Sequence, residues 1–413
     1  MISLPRGAAL ATSVLILFGA PNASAQAKQN LSLQDALRLA EHDNPIAKVV
    51  KARVEGATAR AKSASVQQDP QLTVAQVFGQ NTGAVGDGLI ISQTLEMGDK
   101  VRQRAREANG EKKAIVADAH GTLLDLKFQV QSSYYEALLS DRELLLAEDT
   151  LKRTEAFDAA AGVQYRAGDV ARSNVVRSQI ELSRAQEALE QAHTQQQNTY
   201  ANLKSLSGLS QDTEISLTDT LKYSPESLQL NALIKLAFEN RPELRSARMT
   251  LESRQAALHS ARIQLQPDLA ISANHSVVDP STGGSTITVG LTMPLLDYGK
   301  IRNDAKSAHA AVTEQEGAVE EAERVALLDV ATAFRNWMQA RRTVEAFTTT
   351  RIKRSQELYE MAQLGYQKGA NSYLEVVDAQ NIYVSEQTDY LRSLAAYQTA
   401  RAALDRATGG KIP

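Results

Sequence analysis

The chain has 413 residues, a net charge of −3, 23% charged and 5% aromatic residues, and no cysteine. That excludes disulfides, zinc–thiolate sites and a lipid-modified N-terminal cysteine, and the well-mixed charge excludes the basic face of a nucleic-acid binder. No proline falls within residues 71–224 or 295–412, so these stretches can form very long helices, which an interior proline would disfavour by about 3 kcal/mol.

Residues 1–25 read as a signal peptide. Arg6 supplies the charge, residues 8–20 are apolar, and Ala23-Ser24-Ala25 is a small-x-small cleavage site. No later apolar run approaches the ~20 residues of a membrane-spanning helix. Ser32 and Asp35 form an N-cap pair ahead of Leu33, Ala36, Leu37 and Ala40 at helical spacing. Pro45 starts a second helix, which runs to about Val66 and is stopped by Pro70. Strand patterns follow at 71–79 and 89–95, joined by a loop containing Gly83, Gly86 and Gly88. A helix from about Val101 to Gly162 comes next, roughly 90 Å long at 1.5 Å per residue. Leu123, Leu126, Val130, Tyr134 and Ala137 give it a heptad-like seam. Residues 164–179 (QYRAGDVARSNVVRSQ) form its tip, where Gly168 reverses the chain, and Leu182, Ala185, Leu189 and Ala192 lead the returning helix.

Residues 207–229 join two halves and hold a short strand pattern at 214–217. The same order of elements then repeats. At an offset of 197, Pro45 and Pro70 match Pro242 and Pro267 in register with Leu33, Glu55 and Leu72 against Leu230, Glu252 and Leu269. Strand patterns recur at 268–276 and 286–295 around Gly283 and Gly284. Leu95, Lys100 and Arg102 match Leu295, Lys300 and Arg302, and Leu327, Val330, Phe334, Trp337 and Val344 form the corresponding seam. The second tip spans 365–380 (GYQKGANSYLEVVDAQ), and Tyr383, Tyr390, Leu394, Tyr397 and Leu404 follow it. The chain is therefore a doubled unit, 26–206 and 230–408, with residues 409–413 as a short unstructured end.

Two β-hairpins make four strands. An open four-stranded sheet in lipid would leave backbone groups unsatisfied, and single-chain bacterial barrels need eight or more strands. Membrane hairpins in this chain therefore require several copies to share one barrel, and three would supply twelve strands. The six histidines show no metal-ligand spacing, and no P-loop, dinucleotide fingerprint or nucleophile elbow is present.

The opening LSLQDALRLAEHDNP, its second copy LQLNALIKLAFENRP, the turn PLLDYGKIR and the tip YQKGANSYLEVVDAQ resemble the TolC family of outer-membrane efflux proteins over nearly the whole mature chain. The resemblance implies a mainly α fold with a β membrane part: long antiparallel coiled-coil helices and a homotrimeric 12-stranded β-barrel continued by a 12-helix periplasmic tunnel. It implies an exit duct without enzymatic chemistry or cofactor, seated in the outer membrane. Its partners would be a periplasmic adaptor and an inner-membrane transporter of an efflux pump or type I secretion system. Glu375 and Asp378 match the paired acids that ring the family's aperture. The first copy has Asn174 and Arg177 there, so the ring departs from a purely acidic one, and Arg177 could pair with either acid. Tyr165, Gly168, Tyr366 and Gly369 match the turns that dock the adaptor. The rival reading is a soluble periplasmic coiled-coil adaptor or scaffold, which accounts for the signal and heptads but not for the duplicated hairpins.

Overall fold

In the computed structural model, residues 29–77, 86–276 and 284–412 are described; the signal segment lies outside them. A short strand β1 (Gln29–Leu31) leads into α1 (Leu33–Asp43) and α2 (Pro45–Ala64). Ser32 caps α1 with a reciprocal Asp35 box, and Asn44 caps α2, whose first residue is Pro45. Strands β2 (Gln71–Val77) and β3 (Gly86–Leu95) precede α3 (Lys100–Ala167), and α4 (Arg172–Ser207) runs back from it. Gly86 and Gly88, read as loop residues from sequence, belong to β3, where they pair with Val77 and Ala75. The linker strand β4 (Ile215–Leu217) pairs in parallel with β1, a contact between residues far apart in the chain.

The second half retraces the first. It comprises α5 (Leu230–Asn240), α6 (Pro242–Arg262), β5 (Asp268–Ser276), β6 (Ser285–Thr292), α7 (Lys300–Ala346), α8 (Ile352–Gln367) and α9 (Tyr373–Ala407). A π-helical turn at Phe347–Arg351 joins α7 to α8 without a break. Its cause lies in the duplication. Lys100 and Leu144 align with Lys300 and Val344 at an offset of 200, but Tyr165 and Gly168 align with Tyr366 and Gly369 at 201. One residue has been inserted between these points. A single inserted residue in an α-helix is absorbed by widening one turn, and that is what a π-bulge is.

The helices bury the seams read from sequence. Leu126, Val130, Tyr134 and Ala137 form one core with α1 and the linker; Val330, Trp337, Val344, Leu394, Tyr397 and Leu404 form another with α5. Leu327 departs from this pattern and is exposed. The C-terminal end is docked rather than loose. Gly409 lies against the Asn240–Arg241 backbone, and the Ile412 N–H donates to Asp405 Oδ1 at 3.1 Å. At 1.5 Å per residue, the 68 residues of α3 span roughly 100 Å from the sheet to the first tip.

Lys100 sets the join between sheet and helices. It is buried and donates to Asp268 Oδ1 and Oδ2 at 2.9 Å and to the Gln266 carbonyl at 2.7 Å. Farther down, Gly110 lets α3 and α6 touch: a Cβ there would meet the Ser253 backbone nitrogen at 2.9 Å. Gly110→Val should therefore force these helices apart and cost about 1–3 kcal/mol, read as a lowered melting temperature by circular dichroism in detergent. An unchanged melting temperature would contradict this packing.

Candidate functional site

Two regions of this molecule differ from ordinary globular surface: the sheet at one end and the tips at the other. The four strands form one antiparallel sheet in the order β2-β3-β5-β6, so β2 and β6 are open edges. Partners in an antiparallel ladder point to the same side. Leu72 faces Ile91, which faces Ala273, which faces Ile287; Leu95 faces Leu269, which faces Leu291. One side thus carries Leu72, Val74, Leu89, Ile91, Leu95, Leu269, Ile271, Ile287, Val289 and Leu291, with Gln93, His275 and Ser285 among its polar members. The other carries Thr73, Ile90, Ser92, Thr94, Ser272, Asn274, Thr286, Thr288 and Thr292. The alternation that looked imperfect strand by strand becomes sharp once register is fixed. Among the described residues most of the apolar side stands bare: Val74 is 71% exposed, Ile287 74% and Leu291 66%. An apolar patch of this extent marks a surface that meets lipid or another protein.

At the tips, Gly168 has φ 84° and Gly369 φ 74°, both left-handed. The Gly168 N–H donates to the Tyr165 carbonyl and the Asp169 N–H to that of Gln164; the Gly369 and Ala370 N–H groups repeat the pattern on Tyr366 and Gly365. These are two copies of one Schellman stop. No other atom lies within 4 Å of where either glycine would carry a Cβ, so glycine is required there by backbone conformation and not by crowding.

The tyrosines before these stops differ. Tyr165 is exposed. Tyr366 turns inward, donates to Gln164 Oε1 at 2.6 Å and meets Phe157 and Tyr373 edge-on. It thereby binds the second tip to α3. Beyond it, Tyr359, Ala362, Val376 and Ala379 form a small core, and Arg153 lies 5.3 Å from the Tyr359 ring centre and 5.8 Å from that of Tyr383. Neither Phe157 nor Arg153 was marked by any spacing in the sequence, because their partners lie about two hundred residues away.

Glu375 and Asp378 are both exposed in the first turns of α9. Glu375 also caps its own helix: the Ser372 N–H donates to its Oε2 at 2.6 Å, and the Glu375 N–H to Ser372 Oγ at 3.4 Å. The S-x-x-E spelling at 372–375 carried that signal. Asn174 and Arg177 occupy the first turns of α4, whose N-cap Ala171 makes no side-chain cap. Among the described residues, Arg177 pairs with neither acid within the chain. It lies instead near Tyr373, whose phenol is pushed up to about 12, first by burial and then by Glu181 and Asp158, with Arg177 opposing. Asp158 accepts from Ser178 Oγ at 2.6 Å, which joins α4 to α3 directly behind the tip.

The model of the outer membrane efflux protein family matches residues 23–209 and 233–410. Among relatives, the cobalt-zinc-cadmium resistance protein CzcC of Cupriavidus metallidurans is 23% identical, over 76% of this chain and 75% of its own length. Protein CyaE of Bordetella pertussis is 25% identical over 92% and 84% respectively. The solved CmeC outer membrane channel of Campylobacter jejuni superposes with a TM-score of 0.80 at 16% identity, over 92% of this chain and 86% of that one.

Ser372→Ala removes the α9 cap and should cost that helix about 1 kcal/mol. Amide hydrogen exchange over 373–377 should quicken while exchange over 172–176 stays unchanged. Equal quickening at both tips would contradict a local capping role.

Proposed function

The chain belongs to the outer membrane efflux protein family, and from that membership we propose that it is the outer-membrane exit duct of an efflux or secretion assembly. It conducts solute passively and performs no chemical step. Three copies pool their sheets into a 12-stranded barrel, and their long helices continue it as a 12-helix tunnel into the periplasm. The observation that carries this reading is the sheet, with one bare apolar side, one polar side and two unpaired edges. Lipid accounts for the first, a water-filled lumen for the second, and neighbouring copies for the third. The polar side is rich in hydroxyl and amide groups and, among the described residues, carries no acid or base apart from Asp268 at the start of β5. Such a lining favours throughput of varied solutes over tight binding.

At the far end, Tyr165, Gly168, Tyr366 and Gly369 form the surface for a periplasmic adaptor, which in turn meets an inner-membrane transporter. Glu375 and Asp378 of three copies ring the aperture, with Asn174 and Arg177 between them. Among the described residues Arg177 has no carboxylate partner in an ion pair, which leaves it available to an acid of an adjacent copy. A soluble scaffold would need its ten apolar sheet residues covered, and among the described residues seven of them stand exposed.

Heat-resistant trimers should appear in the outer-membrane fraction; release of the protein by mild osmotic shock would overturn the reading. Gly168→Val and Gly369→Val each force a branched residue into the left-handed region at about 1–2 kcal/mol, too little to unfold the chain. Both should abolish efflux while trimers persist, and unchanged export would count against adaptor docking there. In planar bilayers under a KCl gradient, Asp378→Asn should lower cation preference and Arg177→Gln should raise it. Reversal potentials that do not move would remove these residues from the aperture.

A further inference from the structure

The turn between β6 and α7 holds a backbone exception that serves nothing inside the chain. Among the described residues Tyr298 is the one residue other than glycine with a left-handed φ, 48°. At the repeat offset of 200 its counterpart is Gly98, φ 68°, which takes that conformation without a Cβ. A bulky aromatic residue is strained there, and such strain persists where the side chain has a function. The ring does not serve the turn itself. Asp297 caps the turn, accepting from the Gly299 and Ile301 N–H groups at 3.0 Å. Among the described residues the Tyr298 side chain makes no hydrogen bond or ring contact, and the residue is 93% exposed.

Its level on the sheet gives the ring a partner. Past Leu291 the chain carries the exposed Met293 and Leu295, and Tyr298 follows Leu295 by three residues, at most about 11 Å away. At the other end the apolar side turns polar at the exposed His275 and Ser285, whose Nδ1 and Oγ lie 3.0 Å apart. Leu295 is ten residues after Ser285, at most about 33 Å of extended chain and about 25 Å of height at a tilt of ~40°. That is the height of the lipid-facing band of an outer-membrane barrel, which aromatic residues flank at both interfaces. Arg302, in the first turn of α7, is exposed and has no ion-pair partner among the described residues, whereas its counterpart Arg102 lies 4.0 Å from Asp99. An unpaired guanidinium close to an exposed phenol suits a layer of phosphates.

We propose that Tyr298 stands in the headgroup layer of the periplasmic leaflet as an anchor for phospholipid. Its O–H donates to phosphate or ester oxygens and its ring lies against the upper acyl carbons. This rests on the lipid-facing sheet proposed above and adds the level at which the bilayer ends.

The chain has one tryptophan, Trp337, fully buried in the helical core, so an added indole reports against a constant background. The full-length protein is placed in liposomes of phosphatidylcholine brominated either near the headgroup or deep in the acyl chain. Val289→Trp, on the apolar side of β6, should lose more emission to the deep bromines. Tyr298→Trp keeps an aromatic ring at its site and should show the reverse order, losing most to the shallow bromines. Full emission from Tyr298→Trp in both lipids, as in water or against a neighbouring copy, overturns the anchor while a quenched Val289→Trp keeps the lipid-facing sheet. Stronger loss from Tyr298→Trp to the deep bromines puts the ring in the acyl core and also overturns the anchor. If Val289→Trp is quenched by neither lipid, the lipid-facing sheet fails and the anchor with it.

Discussion

The structure depends on the unpaired backbone of β2 and β6. Backbone N–H and C=O groups left without partners in hydrocarbon cost several kcal/mol each, so no sheet stays open there. Four strands per chain are too few to close on themselves around a channel, and among the described residues most of the apolar side of this sheet is exposed. The remaining architecture answers that constraint. Each repeat supplies one hairpin, one long descending helix and one returning helix.

Duplication also explains where the two halves differ. The one-residue insertion between Val344 and Tyr366 is taken up by the π turn, which leaves both tips with the same Schellman stop. Tyr366 packs inward and Tyr165 stays out; α9 begins with a capping box and α4 does not. Equivalent backbone thus carries unequal chemistry at the tips, with acids on one copy of the motif and Asn174 and Arg177 on the other. Twofold repetition builds the scaffold, and divergence of side chains distinguishes its two tips.

Much of this was legible in the sequence because it was written twice. The prolines at 45, 70, 242 and 267 fixed the short helices, Gly168 and Gly369 fixed the tips, and the heptad seams fixed the buried faces. Local pattern misled where glycine had two uses: Gly86 and Gly88 read as loop yet lie in β3, where a residue without a side chain is tolerated on the polar side or strand end. Contacts between distant residues had no local signature. The parallel β1–β4 pair, the Lys100–Asp268 bridge and the Tyr366–Gln164 bond each join segments more than 160 residues apart. The docking of Gly409 on the Asn240–Arg241 backbone was hidden for the same reason.

The central claim is that one side of this sheet meets lipid and the other meets water. Spin labels on single cysteines at 287, 288, 289, 290 and 291, in membranes, test it most directly by their collision rates with oxygen and with a water-soluble nickel chelate. Labels at 287, 289 and 291 should favour oxygen, and those at 288 and 290 should favour nickel. Nickel access at all five positions would mean that the sheet stands in water, and the account would fail.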